Sequence, residues 1–287
     1  MPDIEQAERD RLFGLAYRLF GRAGEAEDAV QEPFLRWAAA DRAAIENAAA
    51  WLTTVCTRVC LDVLRSARWQ RERYAGPWLP EPVLTGGEPD DPAVLAESVS
   101  MAFLVVLESL SPLERVAFVL HDIFGDSYDE VAATLQRSPA AVRQLASRAR
   151  RHLAERPTRF EPDRGRREAV RDAFLDACMG ADVDRLLELL APDVTFVADS
   201  GGVVSAPRQP VQGAQRVAHL LLGLAARVPP GTDLRRVEVN AMPGIVAVVD
   251  GRIDTVISLD VVAGRIATVN VVRNPEKLRT VSARLQR

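Results

Sequence analysis

SYDEVAATLQRSPAAVRQLASRARRHL, residues 127 to 153, is the stretch that decides the fold. Apolar residues at helical spacing on either side of a short polar interruption predict two short helices joined by a three-residue turn. Ala132 is small where the second helix must cross closely, and Val142 and Leu145 lie three apart on the face that turns inward. This is the packing that a helix-turn-helix requires. The residues predicted to interlock are Val131, Ala132, Leu135, Val142 and Leu145.

The outer face of the second helix follows by subtraction and is rich in donors. It comprises Ala140, Ala141, Arg143, Gln144, Ser147, Arg148 and Arg151. Arg143 and Gln144 are the candidates for reading base edges in a major groove. Arg148, Arg150, Arg151 and the helix N-terminus at Ser138 are the candidates for holding phosphates. A helical hairpin with a solvated basic face is the alternative interpretation.

Helix-start signals frame this motif. Ser111 and Ser127 are each followed three residues later by a glutamate, which fits a capping box, and Pro139 follows Ser138 at the first helical position. Gln136 occupies the turn position that glycine often fills in such motifs.

Charge is sorted along the chain although the net charge is only −4. Residues 136–159 carry seven arginines against one glutamate, a net +6, and residues 58–73 carry +3. Between them, residues 81–97 carry five acidic side chains and no basic one, a net −5. Two basic helical segments joined by an acidic segment indicate local rather than uniform contact with nucleic acid.

Composition limits the class of protein. At 287 residues with 48% hydrophobic residues, the chain is long enough for two or three small domains. No apolar run is long enough to span a bilayer and the N-terminus is acidic, so we expect a cytoplasmic protein without membrane contact. Cys56, Cys60 and Cys178 are too few for a disulfide framework, and core packing is favoured over metal binding. No cofactor or metal is expected.

Residues 1–74 read as an all-α domain, with Leu12, Leu15, Ala16 and Leu19 at helical spacing. Residues 75–92 hold five prolines and three glycines and predict a linker with an ordered piece around Trp78. The helix over residues 51–73 has a polar face on which a tryptophan suits the stacking of unpaired bases. A surface helix with a half-buried tryptophan explains that face equally well. The face comprises Arg58, Asp62, Arg65, Ser66, Arg68, Trp69 and Arg73.

Periodicity changes in the last third. Helices are predicted near 166–179 and 182–190, followed by strands over 234–273 separated by turns at Pro243-Gly244, Asp250-Gly251 and Ala263-Gly264. This part is therefore expected to be α+β.

Three stretches together resemble a known family. DAVQE followed by FLRW, the AWL helix with its arginines, and LSPLERVAFVLHDIFGDSYDEVA before the helix-turn-helix are similar, in order and spacing, to domains two and four of extracytoplasmic-function sigma factors of RNA polymerase. GPWLPEP at 76–82, DSGG at 199–202 and NPEKL at 274–278 resemble the marks of the sigma-J-like subgroup, which ends in a cone-shaped SnoaL-like domain.

The resemblance implies a domain order. Region 2 would cover residues 1–74, the acidic linker 75–92, region 4 residues 93–157, and a SnoaL-like (NTF2-like) regulatory domain with a C-terminal tail residues 166–287. The partners would be core RNA polymerase, through its β′ and β subunits, and promoter DNA. One copy, monomeric outside the holoenzyme, is expected.

The resemblance also implies residue roles. The polymerase β′ clamp helices would face Asp28, Gln31, Glu32 and Arg36, with Pro33 as a departure inside that helix. The loop at 40–47 and the helix bearing Arg58, Asp62, Arg65, Arg68 and Trp69 would engage the minus-ten element, and the helix-turn-helix would read the minus-thirty-five element. Regulatory contacts between linker and C-terminal domain would involve Trp78, Leu79, Pro80, Asp199, Gly201, Asn274, Pro275 and Lys277.

Two rival functions stay open from the residues. The SnoaL-like domain is a fold that hosts isomerases and binding modules alike, so an enzyme fused to a helical module is one rival. Its candidate pocket residues are Asp199, His219, Asp254 and Asn270, any of which suits a general base or a small-molecule ligand. A stand-alone helix-turn-helix regulator is the other rival. Ligand sensing or autoinhibition is the preferred role for this domain.

Overall fold

The structure is a computed structural model that describes residues 2–71, 74, 76–85, 99–155 and 163–285. The side chains of residues 2–4, 43, 67–71, 280 and 282–285 lie outside this description. The chain divides into two compact units, residues 1–73 with 103–157 and residues 74–102 with 158–287. The described part of the predicted linker, 76–85, therefore belongs to the same unit as the C-terminal domain.

The first unit begins with three helices, α1 (Pro2–Phe20), α2 (Ala23–Ala39) and α3 (Ala48–Arg71), with a 3-10 turn at Arg42–Ala44. The predicted stripe on α1 is confirmed, since Leu12, Leu15, Ala16 and Leu19 are fully buried. Cys56 and Cys60 are buried free thiols on the inner face of α3, as its apolar spacing predicts.

The same unit continues with α4 (Met101–Glu108), α5 (Pro112–Phe118), a π-helix (Val119–Ile123), α6 (Tyr128–Leu135) and α7 (Pro139–Ala154). The predicted starts are confirmed. Ser111 and Ser127 each form a complete capping box with the glutamate three residues on. Ser138 accepts a hydrogen bond from the Ala141 N–H, and Pro139 occupies the first turn. These local contacts satisfy amide donors that a helix N-terminus otherwise leaves without partners.

Arg115 ties the later helices of this unit to the earlier ones. It is 4% exposed, and its guanidinium donates to the carbonyl of Leu19 at 2.6 Å and to that of Glu108 at 2.6 Å. Both carbonyls lie at helix C-terminal ends, where a cation offsets the partial negative charge. The hydroxyls of Thr54 on α3 and Thr134 on α6 are also in contact, at 3.2 Å. The helix-turn-helix therefore packs directly on the N-terminal helices.

The second unit is α+β, as predicted. It contains α8 (Arg164–Met179), α9 (Val183–Leu189), β1 (Leu190–Asp199), β2 (Val211–Gln212), α10 (Ala214–Ala225), β3 (Asp233–Val239), β4 (Met242–Val249), β5 (Arg252–Val262), β6 (Arg265–Val272) and α11 (Pro275–Leu285). The six-stranded sheet has the order β2-β1-β6-β5-β4-β3. β1 runs parallel to β6, and the other pairs are antiparallel.

One apolar cluster joins the sheet to the helices α8, α9 and α10. Phe174 and Leu186 from the helices pack with Phe196, Leu259 and Val269 from the strands, and all five are at most 2% exposed. Burial of large side chains on both layers stabilises this unit as one domain.

Two of the three predicted hairpin turns are confirmed. Asp250-Gly251 and Ala263-Gly264 both have positive φ at both positions, the backbone of a type I′ turn.

The predicted turn at Pro243-Gly244 is wrong, because both residues lie inside β4. The turn between β3 and β4 is instead Asn240-Ala241, with φ of 53° and 58°. Gly244 serves a close approach of chains: a Cβ there would lie 2.5 Å from the Val239 side chain. Glycine at position 244 is therefore required by close packing across three strands, and the chain does not turn there.

Candidate nucleic-acid interface and linker-binding site

The outward face of α7 carries the donors that the sequence places there. Arg143, Gln144, Ser147, Arg148 and Arg151 are all exposed. The face begins at the exposed N-cap Ser138, whose hydroxyl accepts from the Ala141 N–H. A row of donors behind a helix N-terminus is suited to a major groove and its flanking phosphates.

The inner face of α7 differs from the prediction in one residue. Val142 is fully buried, but Leu145 is only half-buried, and the remaining inner positions are Ala146 and Ala149. Small residues thus fill the buried positions of α7 next to Val142. Leu145 therefore lies at the edge of the contact.

Tyr128 organises two of the arginines of α7. The Arg143 guanidinium lies 5.2 Å from the centre of the Tyr128 ring. Arg150 donates to Asp122 Oδ1 at 2.6 Å and to the Tyr128 hydroxyl at 3.2 Å. The hydrogen bond to Asp122 raises the pKa of Arg150. Arg150 thus anchors α7 to the preceding helices, which leaves its predicted phosphate contact a prediction.

Gln136 ends α6 in the left-handed conformation, with φ 53° and ψ 50°. Its backbone N–H donates to the carbonyls of Ala132 and Ala133. The turn of the motif therefore has the backbone that glycine adopts most readily, although the residue is glutamine.

The polar face of α3 is exposed at Arg58, Asp62, Arg65 and Ser66, as predicted. Arg65 lies 3.5 Å from Asp62 in an exposed pair. Arg68 and Trp69 belong to α3, but their side chains lie outside the described residues.

An aromatic pair that the sequence reasoning did not single out borders the loop at 40–47. Trp37 at the end of α2 and Trp51 at the start of α3 have ring centres 5.6 Å apart. The Arg42 guanidinium lies 5.3 Å from the Trp37 ring. The two half-buried tryptophans thus pack together where the loop predicted to meet opened DNA begins and ends.

The outward face of α2 carries the predicted polymerase contacts. Asp28, Gln31 and Arg36 are exposed, and Glu32 pairs with Arg36 at 2.7 Å. Leu35 beside them is 66% exposed, which is unusual for a leucine in a helical unit. The helix continues through Pro33, whose ring is buried.

The residues predicted for regulation meet at one buried site around Asp199. Its Oδ2 accepts from the Leu79 N–H at 2.8 Å and from Lys277 Nζ at 2.7 Å. Its Oδ1 accepts from the Tyr74 hydroxyl and from the Gly201 N–H. Asp199 is completely buried, so every one of these bonds compensates for lost hydration.

Lys277, the only lysine of the chain, closes this site from the other side. It is 3% exposed, and its ammonium also donates to the Leu79 carbonyl. The same ammonium lies 4.4 Å from the centre of the Trp78 ring and 5.0 Å from that of Tyr74. Aromatic faces and a carboxylate together stabilise a buried cation.

Gly201 of the DSGG motif and Asn274 of the NPEKL motif also contribute to this site. Asn274 Nδ2 donates to the Tyr74 hydroxyl at 2.8 Å. Gly201 has φ +61°, and a Cβ there would lie 2.6 Å from the Asn274 side chain. Pro275 starts α11 immediately afterwards, and Lys277 lies in the first turn of that helix. We name the assembly of Tyr74, Trp78, Leu79, Asp199, Asn274 and Lys277 the linker site.

The four predicted pocket residues do not come together. Asp199 belongs to the linker site, His219 is exposed, and Asp254 pairs with Arg273 at 3.1 Å. Asn270 is buried, and its side-chain amide donates through Nδ2 to Asp260 Oδ2 at 2.9 Å. The face of the sheet that meets the helices is filled with apolar side chains. The structure therefore does not bring these four candidate residues together in one pocket.

Asp260 is a buried acid that the sequence reasoning missed, because it stands in an apolar strand without any motif. Burial raises its pKa to about 6, against the opposing effect of hydrogen bonds from Asn270 and Thr268. Within the described part of the chain, its Oδ1 and the Ser258 hydroxyl have no hydrogen-bond partner.

None of the helices in the described ranges has the length and apolar character of a membrane span.

Comparison with known proteins gives consistent similarities. The chain matches the family description "Sigma-70 region 2" over residues 6–70 and "Sigma-70, region 4" over residues 100–153. It is 46% identical over 231 residues to the ECF RNA polymerase sigma factor SigJ of Mycobacterium tuberculosis, covering 79% of this chain and 73% of that protein. It is 36% identical over 284 residues to the probable ECF RNA polymerase sigma factor SigI of the same species, covering 98% and 95%.

The solved structures add a likeness over the whole fold. The crystal structure of the Mycobacterium tuberculosis extracytoplasmic function sigma factor SigJ superposes with a TM-score of 0.79 at 38% identity, covering 97% of this chain and 98% of that chain.

Proposed function

The chain belongs to the extracytoplasmic-function sigma factors, which direct RNA polymerase to promoters, and we propose that its C-terminal domain controls this activity by holding the linker between the two DNA-reading regions. The observation that carries the proposal is the linker site. It places Tyr74, just before the linker, and Leu79 of the linker on Asp199 and Lys277 of the C-terminal domain through polar bonds.

We assign the promoter contacts to the two exposed basic faces. In α7, Arg143 and Gln144 read bases of the minus-thirty-five element, while Ser138, Ser147, Arg148 and Arg151 hold its backbone. In α3, Arg58, Asp62, Arg65, Arg68 and Trp69 engage the opened minus-ten element together with the loop at 40–47.

We assign the contact with core polymerase to the exposed face of α2. Asp28, Gln31 and Arg36 supply charged and polar groups there, and the exposed Leu35 supplies an apolar centre. A polar rim around an apolar anchor is typical of protein interfaces. The partner surface is the β′ subunit, and the protein works as a monomer in the cytoplasm, where polymerase is found.

The described conformation cannot read both promoter elements at once. The minus-ten and minus-thirty-five elements lie about 25 base pairs apart, which is roughly 80 Å along the duplex. In this conformation the hydroxyl of Thr54, in the helix assigned to the first element, is 3.2 Å from that of Thr134, in the motif assigned to the second. The two regions must therefore separate on the promoter, and a linker held by the C-terminal domain opposes that separation.

We assign the C-terminal domain a regulatory and non-catalytic role. Its helix-facing sheet surface is filled by apolar side chains, and its polar candidates are dispersed or engaged elsewhere. The chemistry of the linker site is that of a structural contact, because each strong donor and acceptor is used in binding another part of the chain.

The test is transcription by core RNA polymerase on a genomic promoter library with the full chain, Arg143→Ala, and the double substitution Asp199→Asn with Lys277→Met. The double variant replaces the buried ion pair by neutral groups of similar size and weakens the grip on Leu79. We expect initiation that depends on the wild-type chain, weaker initiation with Arg143→Ala, and initiation raised severalfold with the double variant.

Either of two results would overturn the proposal. A double variant with unchanged initiation would show that the linker site does not control activity. Unchanged initiation with Arg143→Ala would remove the assignment of α7 to base reading.

A further inference from the structure

The side-chain amide of Asn240 binds the linker at Val83 and the chain beyond the linker at Val99. Its Oδ1 accepts from the Val83 N–H at 3.0 Å, and its Nδ2 donates to the Val99 carbonyl at 2.8 Å. Asn240 is completely buried. One amide thus brings together Val83, near the end of the described linker segment, and Val99, two residues before helix α4 begins.

The backbone around Asn240 reinforces the first of these contacts. The Asn240 N–H donates to the Val83 carbonyl at 2.8 Å, so residues 83 and 240 exchange a pair of bonds. The Ala241 N–H donates to Thr85 Oγ1 at 2.7 Å, and the Thr85 N–H donates to the Glu238 carbonyl at 3.0 Å. The linker therefore adds a short bridge at the end of the β3–β4 hairpin.

The turn presents this side chain in a fixed direction. Asn240 and Ala241 both have positive φ, which defines a type I′ turn. Asparagine tolerates this conformation better than other residues with side chains, whereas alanine at the second position is strained. The sequence of this turn is therefore not the most stable one for a type I′ turn. We infer that the contacts of the Asn240 side chain, and not the stability of the turn, account for it.

We propose that Asn240 is a linker clamp that stays closed on the promoter after the contacts of the linker site have opened. It thereby fixes the reach between the two DNA-reading regions and selects the promoter spacer length. The inference rests on the proposed function, in which the C-terminal domain holds the linker. Sixteen peptide units separate Val83 from Val99 and could span about 55 Å when extended. With both residues bonded to one amide, that length contributes almost nothing to the reach.

Spacer selection follows from the geometry of duplex DNA. Each added base pair moves the second element by about 3.4 Å along the axis and by about a tenth of a turn around it. A short connection between the two DNA-reading regions allows few combinations of distance and rotation between the two promoter elements. A long flexible connection allows many, because the effective concentration of the second region at its element falls only slowly with linker length. The clamp therefore converts a permissive tether into a selective one.

Asn240→Gly tests the side-chain contacts of Asn240 without disturbing the backbone of the turn. Glycine adopts the type I′ backbone without strain, so the turn is kept while both side-chain bonds are lost. Asn240→Asp keeps the acceptor for the Val83 N–H but replaces the donor to the Val99 carbonyl by an oxygen. Asp250→Gly is the matched control, because Asp250 is an exposed residue at the first position of another type I′ turn and lies away from the linker.

The experiment measures transcription by core RNA polymerase with each full-length variant on one promoter whose spacer is varied by single base pairs. Hydrogen exchange of the Val83 amide, read on the same proteins, reports whether the clamp has opened. We expect the wild type and Asp250→Gly to prefer one spacer, and Asn240→Gly to flatten that preference by about tenfold, mainly toward longer spacers. Asn240→Asp should lie between them.

The outcomes separate this inference from the proposed function. If the Val83 amide of Asn240→Gly exchanges faster but the spacer profile matches the wild type, the clamp does not select spacers. If its exchange is unchanged, Asn240 is not the clamp. In both cases the effect of the Asp199 and Lys277 double variant still decides whether the C-terminal domain controls the sigma factor.

Discussion

Asp199 at the end of β1 and Lys277 in the first turn of α11 form an ion pair with a 2.7 Å separation and side-chain exposures of 0% and 4%. Both residues also need hydrogen-bond partners from the linker. The Leu79 N–H donates to the Asp199 carboxylate, and the Leu79 carbonyl accepts from the Lys277 ammonium. The linker is therefore an integral part of the packing of the C-terminal unit.

Removing one member of this pair should be costly. Lys277→Met leaves the Asp199 carboxylate buried without its cation and should lower the free energy of unfolding by about 3–5 kcal/mol. Adding Asp199→Asn should recover much of that loss, because a neutral amide is less costly to bury. Denaturant unfolding of the three proteins measures both effects.

The exposed pair of Arg185 and Glu188, 2.7 Å apart, is the matched control. Arg185→Met should change stability by less than about 0.5 kcal/mol, because solvent screens an exposed pair. Equal losses for Lys277→Met and Arg185→Met would contradict the importance of burial at the linker site.

Asp260 should make the C-terminal unit less stable as the pH rises. Its pKa is raised to about 6 by burial, whereas in the unfolded chain it is about 3.9. The folded state therefore binds more protons between these values, and stability is lost as the pH rises from about 4 to about 6. The loss at neutral pH is on the order of 3 kcal/mol.

Asp260→Asn should remove this dependence. We expect the melting temperature of the variant to exceed that of the wild type at pH 8 and to approach it near pH 4, as measured by thermal unfolding over that pH range. Asp193→Asn, at an exposed residue, should leave the pH profile unchanged. A wild-type profile that is flat between pH 4 and pH 7 would show that the buried carboxyl does not titrate there.

Helix starts were predictable from sequence because their causes are local. The side chain of Ser111 or Ser127 and its glutamate partner lie within one turn of each other, so their spacing alone contains the capping box. The exposed face of α7 followed from helical periodicity in the same way. The paired positive φ values at Asp250-Gly251 also have a local cause in residue type.

The linker site required the tertiary structure. Tyr74 and Asp199 are 125 residues apart in sequence, and no periodicity relates them. Family marks identified Asp199, Asn274 and Lys277 as a group, but nothing in the spacing indicated Tyr74 or Asn240 as partners. Gly244 was misassigned for a related reason: glycine signals both turns and close packing, and only the neighbouring Val239 decides between them.

Gln136 offers a stabilising substitution in the DNA-reading unit. Because its φ is 53°, Gln136→Gly should raise the free energy of unfolding by about 0.5–1 kcal/mol through relief of left-handed strain. Gln136→Ala keeps a Cβ and should give no such gain. Chemical denaturation of both variants measures the difference, and a Gln136→Gly protein less stable than Gln136→Ala would indicate that the glutamine side chain itself stabilises the turn.

Arg143 and Arg151 should separate base reading from backbone binding. Arg143→Ala should weaken holoenzyme binding to the preferred minus-thirty-five sequence by about 1–3 kcal/mol and affect a promoter altered at the contacted base pair much less. Arg151→Ala should weaken both promoters equally and lower the slope of log affinity against log salt by about 1. Titrations of holoenzyme onto the two promoters at several salt concentrations measure these quantities. If Arg151→Ala were the substitution that erased the preference between the promoters, the assignment of the two arginines along α7 would have to be reversed.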